Sequence, residues 1–391
     1  MDLSELDSFL DRTGLDGYLI EADGEDPNQR YLSGFTAPDP FVTLYTGETR
    51  LLVSTLEYGR AKRTARADSV ERHAAYDHGT HVSEYGPTEG RHRTLAAFLD
   101  AHGVEGVAVP EAFPLGTADG LRDLGVTVRA DTDGVVESIR ARKTDREIEN
   151  VRAAQTANEA AMARAEKLLA GASIEGERLV YEGETLTSER LKQAIEIDLL
   201  RNGYALDETI VACGADAADP HDRGSGPLEA GEPIIVDIFP RSKETGYHGD
   251  LTRTFCVGEP SETVRSWYDL TLEAQRAALE EIEAGVSGSA VHDAVCDVYE
   301  EAGLPTLRAD ENAETGFIHT TGHGIGLEVH ERPRLSGQEI ELEAGNVVTV
   351  EPGLYDPAVG GVRIEDLVVV TENGHENLTS YEKELVVEPD R

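Results

Sequence analysis

Two histidines that lie seven residues apart, His323 and His330, belong to a glycine-rich run in this chain. The run, residues 320–331, reads Thr-Thr-Gly-His-Gly-Ile-Gly-Leu-Glu-Val-His-Glu, and the whole chain holds only twelve histidines. Glycine lets the backbone approach a ligand closely, and imidazole can bind a metal or donate a proton near pH 7. The run alone could also be an ordinary turn, so the acidic residues on either side of it decide the interpretation.

An internal repeat places acidic residues on both sides of this run. Residues 228–237 read Leu-Glu-Ala-Gly-Glu-Pro-Ile-Ile-Val-Asp, and residues 342–351, 114 positions later, read Leu-Glu-Ala-Gly-Asn-Val-Val-Thr-Val-Glu. Each copy predicts a turn and then a strand that ends in a carboxylate, and a second acidic site follows each strand. The four carboxylates, which we expect the two strand pairs to bring together, are Asp237, Asp250, Glu351 and Glu365.

A carboxylate inside an apolar run must be neutralised, because burying an unpaired charge is very costly. Asp237 and Glu351 both lie in such runs. The simpler explanation for either one alone is an ion pair with a nearby arginine, Arg253 or Arg363. Four carboxylates in a repeated context, with His323 between the copies, instead favour a divalent metal site.

Four carboxylates and one imidazole suit two hard or borderline cations better than one. Two cations about 3.5–4 Å apart can share a bridging hydroxide, lower the pKa of that water and polarise a substrate carbonyl. Oxygen-rich ligation favours Mn²⁺, with Co²⁺, Fe²⁺ or Zn²⁺ as alternatives. A structural zinc site would need paired cysteines, which the widely spaced Cys213, Cys256 and Cys296 do not provide.

Helices are predicted on either side of the repeat copies. Thr144-Asp145-Arg146-Glu147 is a capping box that opens a helix. The buried side of this helix can be lined by Ile148, Val151, Ala154 and Ala161. Further helices are predicted over residues 187–202 and 263–282.

Residues 1–140 predict a separate domain of the α/β class. Short buried strands at 17–20, 51–53 and 104–109 alternate with amphipathic helices at 3–10 and 94–101. We see no cluster of catalytic residue types here. A boundary near residues 139–143 therefore divides the chain into domains 1–140 and 141–391.

The chain is strongly acidic. It holds 76 acidic and 35 basic residues among 391, for a net charge of −41, and lysine is scarce. A solvated acidic coat of this kind is typical of proteins from salt-loving organisms, where salt screens the self-repulsion. Such a charge disfavours nucleic acid or an anionic membrane as a partner.

The cysteine count and the apolar pattern indicate a compartment. Three widely spaced cysteines argue against a disulfide framework and fit a reducing cytosol. The first residues lack a basic, apolar leader, and no apolar run reaches the ~20 residues of a membrane span. We expect a soluble, cytoplasmic protein.

The acidic and histidine motifs together resemble those of the "pita-bread" metallopeptidases, a family with an internal pseudo-two-fold. The family includes Xaa-Pro dipeptidase (prolidase), Xaa-Pro aminopeptidase and methionine aminopeptidase. The resemblance is strong from about residue 140 to the C-terminus. It implies that the metal ligands are Asp237 in Val-Asp-Ile, Asp250 in Gly-Asp-Leu-Thr-Arg-Thr-Phe, His323 in Gly-His-Gly-Ile-Gly, Glu351 in Val-Glu-Pro-Gly and Glu365 in Arg-Ile-Glu-Asp.

The same resemblance implies roles for residues around the metals. His221 would close over the substrate, His330 would contact the scissile carbonyl, and Arg363 would lie beside the metals. Glu351 would also carry a proton to the leaving nitrogen. The run Asn28–Phe35 is similar to one in the extra N-terminal creatinase/prolidase-like domain of the Xaa-Pro group, which favours that branch over the methionine aminopeptidases.

The implied activity is hydrolysis of the bond between an N-terminal residue and proline, by a hydroxide that bridges two divalent metals. The implied partner is a peptide with proline in second position, and members of the family are commonly homodimers. Three alternatives stay open: a methionine or general aminopeptidase, a small-molecule hydrolase or lyase, and a non-catalytic binding protein. Dipeptides and longer peptides are not distinguished. One departure is the thirteen-residue spacing of Asp237 and Asp250, wider than usual in the family, which the loop at 240–246 can absorb.

Overall fold

The computed structural model describes residues 2–387, and the chain divides between Arg140 and Ala141 into two units. Among the described residues, no helix combines the length and the apolar character needed to traverse a bilayer. Each unit has its own hydrophobic core.

The N-terminal unit is a mixed sheet with helices. Its strands lie in the order β4-β3-β2-β1-β5-β6, with β1 antiparallel to β2 and parallel to β5. The strands are β1 Gly17–Ala22, β2 Phe41–Tyr45, β3 Thr49–Val53, β4 Ser69–Arg72, β5 Gly106–Pro110 and β6 Thr127–Asp131. The helices are α1 Ser4–Thr13, α2 Pro27–Ser33, α3 Thr55–Thr64, α4 His78–Ala101, α5 Leu115–Asp123 and α6 Val135–Ala141. The predicted α/β class is confirmed.

Helix α4 is the element of this unit that the sequence pattern described least well. Only its last turns, 94–101, were expected to be helical, yet the helix begins at His78. Its backbone is kinked at Gly86, where φ is 82° and ψ is 171°, and Pro87 follows. Because glycine and proline interrupt helical periodicity, the first half carries no continuous apolar stripe.

The C-terminal unit carries longer helices and many short strands. Its helices are α7 Asp145–Ala170, α8 Ser188–Arg201, α9 Glu262–Glu281 and α10 Gly288–Glu301. Its first strands are β7 Ser173–Glu175, β8 Arg178–Tyr181, β9 Glu184–Thr185, β10 Tyr204–Ala205, β11 Thr209–Cys213, β12 Ile234–Ile238, β13 Arg241–Ser242 and β14 Leu251–Phe255. The remaining strands are β15 Gly322–Gly324, β16 Glu331–Leu335, β17 Val347–Val350, β18 Gly353–Asp356, β19 Gly360–Arg363, β20 Asp366–Thr371 and β21 Gly374–Asn377.

The sequence repeat corresponds to a repeat in the fold. In the first half, helices α7 and α8 pack together and the antiparallel strands lie in the order β11-β12-β14. In the second half, α9 and α10 pack together and the antiparallel run β15-β17-β20 takes the same place. The first repeat copy contains β12 and the second contains β17. Each copy therefore supplies the central strand of its half.

Local signals set the helix ends of this unit. The Glu147 carboxylate accepts hydrogen bonds from the Thr144 backbone nitrogen at 2.8 Å and its hydroxyl at 2.7 Å. This is the expected capping box, and α7 begins directly after Thr144. Of the expected apolar residues of α7, Val151, Ala154 and Ala161 are buried, while Ile148 is partly buried.

Candidate metal centre

The four carboxylates come from equivalent places in the two halves. Asp237 lies on β12, opposite Thr252 of β14, and Asp250 immediately precedes β14. Glu351 immediately follows β17, and Glu365 immediately precedes β20, its partner strand. The fold therefore contributes one carboxylate from each central strand and one from the start of its neighbour.

His323 joins this group from strand β15. Its Nε2 lies 3.2 Å from Glu351 Oε1 and 3.8 Å from Asp250 Oδ2. Possible ligand atoms of Asp250, His323 and Glu365, all buried, lie within 4.8 Å of one another. The Nδ1 atom lies 3.0 Å from the Gly324 carbonyl oxygen, so a proton on Nδ1 would leave Nε2 as the coordinating atom.

The glycines beside His323 serve strand packing. A Cβ atom on Gly322 would lie 2.0 Å from the Thr349 carbonyl oxygen of β17. One on Gly324 would lie 2.1 Å from the Arg332 carbonyl oxygen of β16. The sequence suggested a close approach to a ligand, whereas here the glycines let β15 lie tightly between its neighbours. That packing fixes the backbone that carries His323.

The competing ion-pair explanation holds for one carboxylate oxygen. Arg363 Nη2 donates to Asp237 Oδ2 at 2.7 Å. The other oxygen of Asp237, Oδ1, is buried without a hydrogen-bond partner among the described residues. Arg253 pairs with Asp366 at 2.9 Å and with none of the four carboxylates predicted as ligands. Paired arginines therefore leave most of the carboxylate charge uncompensated.

The charges in this cluster perturb one another strongly. Burial and the charge of Asp237 raise the pKa of Asp250 well above its usual range. Burial and the charges of Asp250 and Glu351 do the same to the pKa of Glu365. Burial raises the pKa of Asp237 as well, although Arg363 opposes the shift. Crowded buried carboxylates of this kind are neutralised by protons or by a cation, and a divalent metal is a cation that such donors fit.

His323 and Glu351 form a charged pair within the cluster. Burial opposes the charge on His323, but the hydrogen bond and charge of Glu351 raise the pKa of His323 to about 9. Burial also opposes the charge on Glu351, yet its bond to His323 lowers the pKa of Glu351 to about 2. In the protein without metal, the positive charge of the protonated imidazole therefore offsets part of the carboxylate charge.

The remaining sequence-predicted residues lie around the cluster. The exposed His330 ring makes a T-shaped contact with the His323 ring, with ring centroids 4.4 Å apart. His221 is exposed, and the neighbouring Pro220 carbonyl accepts a hydrogen bond from Arg363 Nη1 at 3.4 Å. Arg363 is buried beside Asp237. All eight predicted site residues thus come from segments that meet in one region. Among the described residues, Asp250, His323 and Glu365 offer ligand atoms that all lie within 4.8 Å of one another, and Asp237 and Glu351 are not part of that set.

Several residues that hold this arrangement were not predicted from the sequence. The Tyr355 hydroxyl accepts from Arg363 Nη1 at 2.9 Å and lies 3.0 Å from His319 Nε2. The Thr252 hydroxyl donates to Glu365 Oε2 at 2.8 Å. His319 immediately precedes the glycine-rich run, so its position was the available signal. Tyr355 and Thr252 carry no signal beyond nearness in the chain to Glu351 and Asp250.

Two family profiles match this sequence. The profile described as metallopeptidase family M24 matches residues 149–372, more than half of the chain. The profile described as the creatinase/prolidase N-terminal domain matches residues 3–142. The expected order of an N-terminal prolidase-like domain and a C-terminal metallopeptidase domain is confirmed.

Individual relatives agree with this assignment. An Xaa-Pro dipeptidase of Pyrococcus furiosus is 40% identical over 181 residues, which cover 46% of this chain and 49% of that relative. An Xaa-Pro dipeptidase of Pyrococcus horikoshii is 29% identical over 384 residues, covering 97% of this chain and 96% of the relative. The solved structure of an Xaa-Pro dipeptidase from Bacillus anthracis superposes with a TM-score of 0.81 at 28% identity, covering 98% of both chains.

Proposed function

The chain belongs to metallopeptidase family M24, and from that premise we propose that it hydrolyses the peptide bond between an N-terminal residue and proline. The observation that carries this proposal is the convergence of buried donor atoms from Asp250, His323 and Glu365 within 4.8 Å. The names of relatives that align with almost the whole chain favour Xaa-Pro dipeptides as the substrate.

The proposed cofactor is a pair of divalent cations, with Mn²⁺ as first choice and Co²⁺, Fe²⁺ or Zn²⁺ as alternatives. The residues that would hold them are Asp237, Asp250, His323, Glu351 and Glu365. The unpartnered Asp237 Oδ1 and the raised pKa values of Asp250 and Glu365 support this donor set. When bound, such cations would activate a water for attack and polarise the scissile carbonyl.

The chain's own side chains divide the remaining work. We propose that His330, exposed beside His323, donates a hydrogen bond to the oxygen on which charge develops. Glu351, at the edge of the cluster, transfers a proton to the leaving nitrogen of proline. His221 lies on an exposed loop and orients the substrate. Arg363 holds Asp237 in place through the 2.7 Å bond.

Proline in second position explains why a specialised enzyme is needed. A peptide nitrogen in proline carries no hydrogen, and the ring fixes φ near −65°. A peptidase site that needs a hydrogen bond from the N–H of that residue, or free rotation about its φ angle, hydrolyses such a bond slowly. The proposed site needs only the carbonyl and the leaving nitrogen.

A panel of peptides tests the substrate assignment. With Mn²⁺ at high salt, we expect an Xaa-Pro dipeptide to be cleaved with a kcat/KM at least about tenfold above that of the matched Xaa-Ala and Met-Ala dipeptides, because pocket contacts to one ring are worth about 1–3 kcal/mol. The measurement is the initial rate across the panel, extended to Xaa-Pro-Yaa and longer peptides.

Each alternative has its own result in this panel. Preference for Met-Ala would indicate a methionine aminopeptidase, and equal rates would indicate a general one. Cleavage of none of the peptides by protein that binds two Mn²⁺ ions would favour a binding protein or a small-molecule hydrolase or lyase. Faster cleavage of tripeptides than of dipeptides would assign the aminopeptidase activity.

The His323 pKa of about 9 predicts how metal affinity depends on pH. Below that value the imidazole is protonated in the metal-free protein, and a cation must displace the proton. The apparent Mn²⁺ association constant is therefore expected to rise by about tenfold per pH unit near pH 7, to rise less steeply as the pH approaches 9, and then to level off. Titration calorimetry in two buffers of different protonation enthalpy measures the affinity and the released protons. An affinity independent of pH over this range would exclude His323 as a ligand.

A further inference from the structure

Glu331 directly follows His330 and turns its carboxylate back onto the loop that carries that histidine. Its Oε1 accepts hydrogen bonds from the backbone nitrogens of Leu327 at 2.8 Å and Glu328 at 3.1 Å. A Cβ atom on Gly326 would lie only 2.7 Å from Oε2, so the carboxylate is packed against the loop backbone. The loop 326–331 is thus closed by one of its own side chains.

The other oxygen of this carboxylate meets a buried cation. Lys143 Nζ lies 2.9 Å from Glu331 Oε2, and the side chains are only 1% and 4% exposed respectively. Lys143 is held by its backbone nitrogen, which donates to the Gly345 carbonyl at 2.8 Å. The ammonium is therefore fixed by the segment that opens the C-terminal unit, 188 residues before Glu331.

The start of the same loop is anchored separately. The backbone nitrogen of His248 donates to the Gly326 carbonyl at 2.8 Å. Ile325 is buried and Leu327 is partly buried in an apolar cluster that includes Val151. With Gly326 and Leu327 held at one end and Glu331 at the other, His330 is the side chain that this frame presents beside His323.

A buried ion pair is a weak explanation for stability. Removing two charges from water costs free energy that their attraction repays only when geometry and further hydrogen bonds are good. An apolar pair of similar volume often serves folding equally well. The Lys143–Glu331 pair differs from an apolar pair in one respect. The Glu331 carboxylate accepts hydrogen bonds from two backbone N–H groups, which an apolar side chain cannot do.

We propose that Glu331 is a positioning residue that, held by Lys143, fixes loop 326–331 and thereby aims the His330 ring. The catalytic consequence rests on the proposed function, whereas the structural consequence does not. Replacing a residue that orients a neighbouring active group typically lowers activity by about 10–100-fold. That range is the expected contribution of this pair to kcat.

The decisive variant is the double replacement Lys143→Met and Glu331→Leu, which keeps the volume and removes both charges. We expect it to fold, with amide exchange at Leu327 and Glu328 at least about tenfold faster, because their acceptor is gone. Its kcat on an Xaa-Pro dipeptide should fall by about 10–100-fold, with KM nearly unchanged. Its Mn²⁺ affinity should stay within about threefold, since His323 is held by other contacts.

Two further proteins guard against a trivial result. Glu331→Gln keeps an acceptor oxygen but loses the charge, so it should show smaller increases in amide exchange and a smaller loss of kcat. This single variant still tests the proposal if the double variant does not fold. Glu339→Gln removes one exposed carboxylate eight residues further along the chain and should change neither exchange nor kcat. Wild-type exchange at Leu327 and Glu328 in both Glu331 variants would overturn the proposal. If the wild-type protein cleaves no Xaa-Pro peptide, the exchange data still decide the structural claim, while the proposed function fails by itself.

Discussion

An Asp250→Asn protein is expected to lose kcat/KM on Xaa-Pro peptides by about 10³-fold or more. A bound metal contributes several kcal/mol to stabilising the charge that develops in the reaction, and each 1.36 kcal/mol is tenfold in rate. Asparagine keeps the volume of aspartate but removes a charge from the cluster around His323. The loss should match that produced in the wild-type protein by a chelator, and Mn²⁺ should restore only the wild type. Steady-state rates and Mn²⁺ titrations on both proteins measure this.

The same substitution should stabilise the protein when metal is absent. Because burial and the charge of Asp237 raise the folded-state pKa of Asp250, its ionisation opposes folding at every pH above its unfolded value of about 4. Metal-free Asp250→Asn should therefore unfold at a higher temperature than metal-free wild type at pH 7, and the difference should vanish below about pH 4, where Asp250 is protonated in both states. Asp269→Asn, an exposed aspartate on α9, should show neither effect. Full activity of Asp250→Asn in chelator would end the metal hypothesis.

Local signals in the sequence predicted the helices that position this site. A helix was expected over 187–202, and α8 runs from Ser188 to Arg201 with the Thr187 side chain accepting from the Arg190 nitrogen. Capping depends on residues three or four apart, so a short window contains all the information needed. The first half of helix α4 was not predicted because its glycines and Pro87 interrupt the local helical pattern. Packing within the folded unit determines where this helix begins.

The convergence of the carboxylates could be predicted because the repeat marks equivalent strands. The acidic residues that pair with Arg253 and Arg363 could not be predicted from the sequence. Glu365 and Asp366 are adjacent, and successive side chains near a strand point to opposite faces. Glu365 faces Thr252 of the cluster, whereas Asp366 faces Arg253 and Lys383. Which of two neighbouring acids meets an arginine depends on strand register, which the sequence does not specify.

Contacts between segments that are distant in the sequence could not be predicted either, because they too depend on how the strands and loops pack. The chain His319–Tyr355–Arg363–Asp237 joins residues from three separate stretches of sequence. Nothing in the local sequence around Lys143 or Glu331 indicates that both side chains are buried. The sequence predicted the groups that could do chemistry, and the structure adds the side chains that hold them.

His330→Asn is expected to lower kcat on an Xaa-Pro dipeptide by about 10²–10³-fold, the usual effect of removing one donor to a developing oxyanion. The His330 side chain is exposed, and its ring makes a T-shaped contact with the His323 ring without belonging to the buried donor cluster. Mn²⁺ affinity and stoichiometry should therefore stay close to those of the wild type. This separates His330 from Asp250, whose loss should affect metal binding and activity together. Single-turnover rates and Mn²⁺ titrations of the purified variant measure both quantities.

The matched control for this experiment is His375→Asn, on strand β21, which should leave kcat unchanged. Comparison with Glu331→Gln adds a second check. If Glu331 acts by aiming His330, then Glu331→Gln should have little further effect in a His330→Asn background, because the two changes remove one interaction. Additive losses would mean that Glu331 acts through another group. Wild-type kcat in His330→Asn would transfer the donor role to another imidazole, with His319, half-buried beside Tyr355, as the next residue to replace.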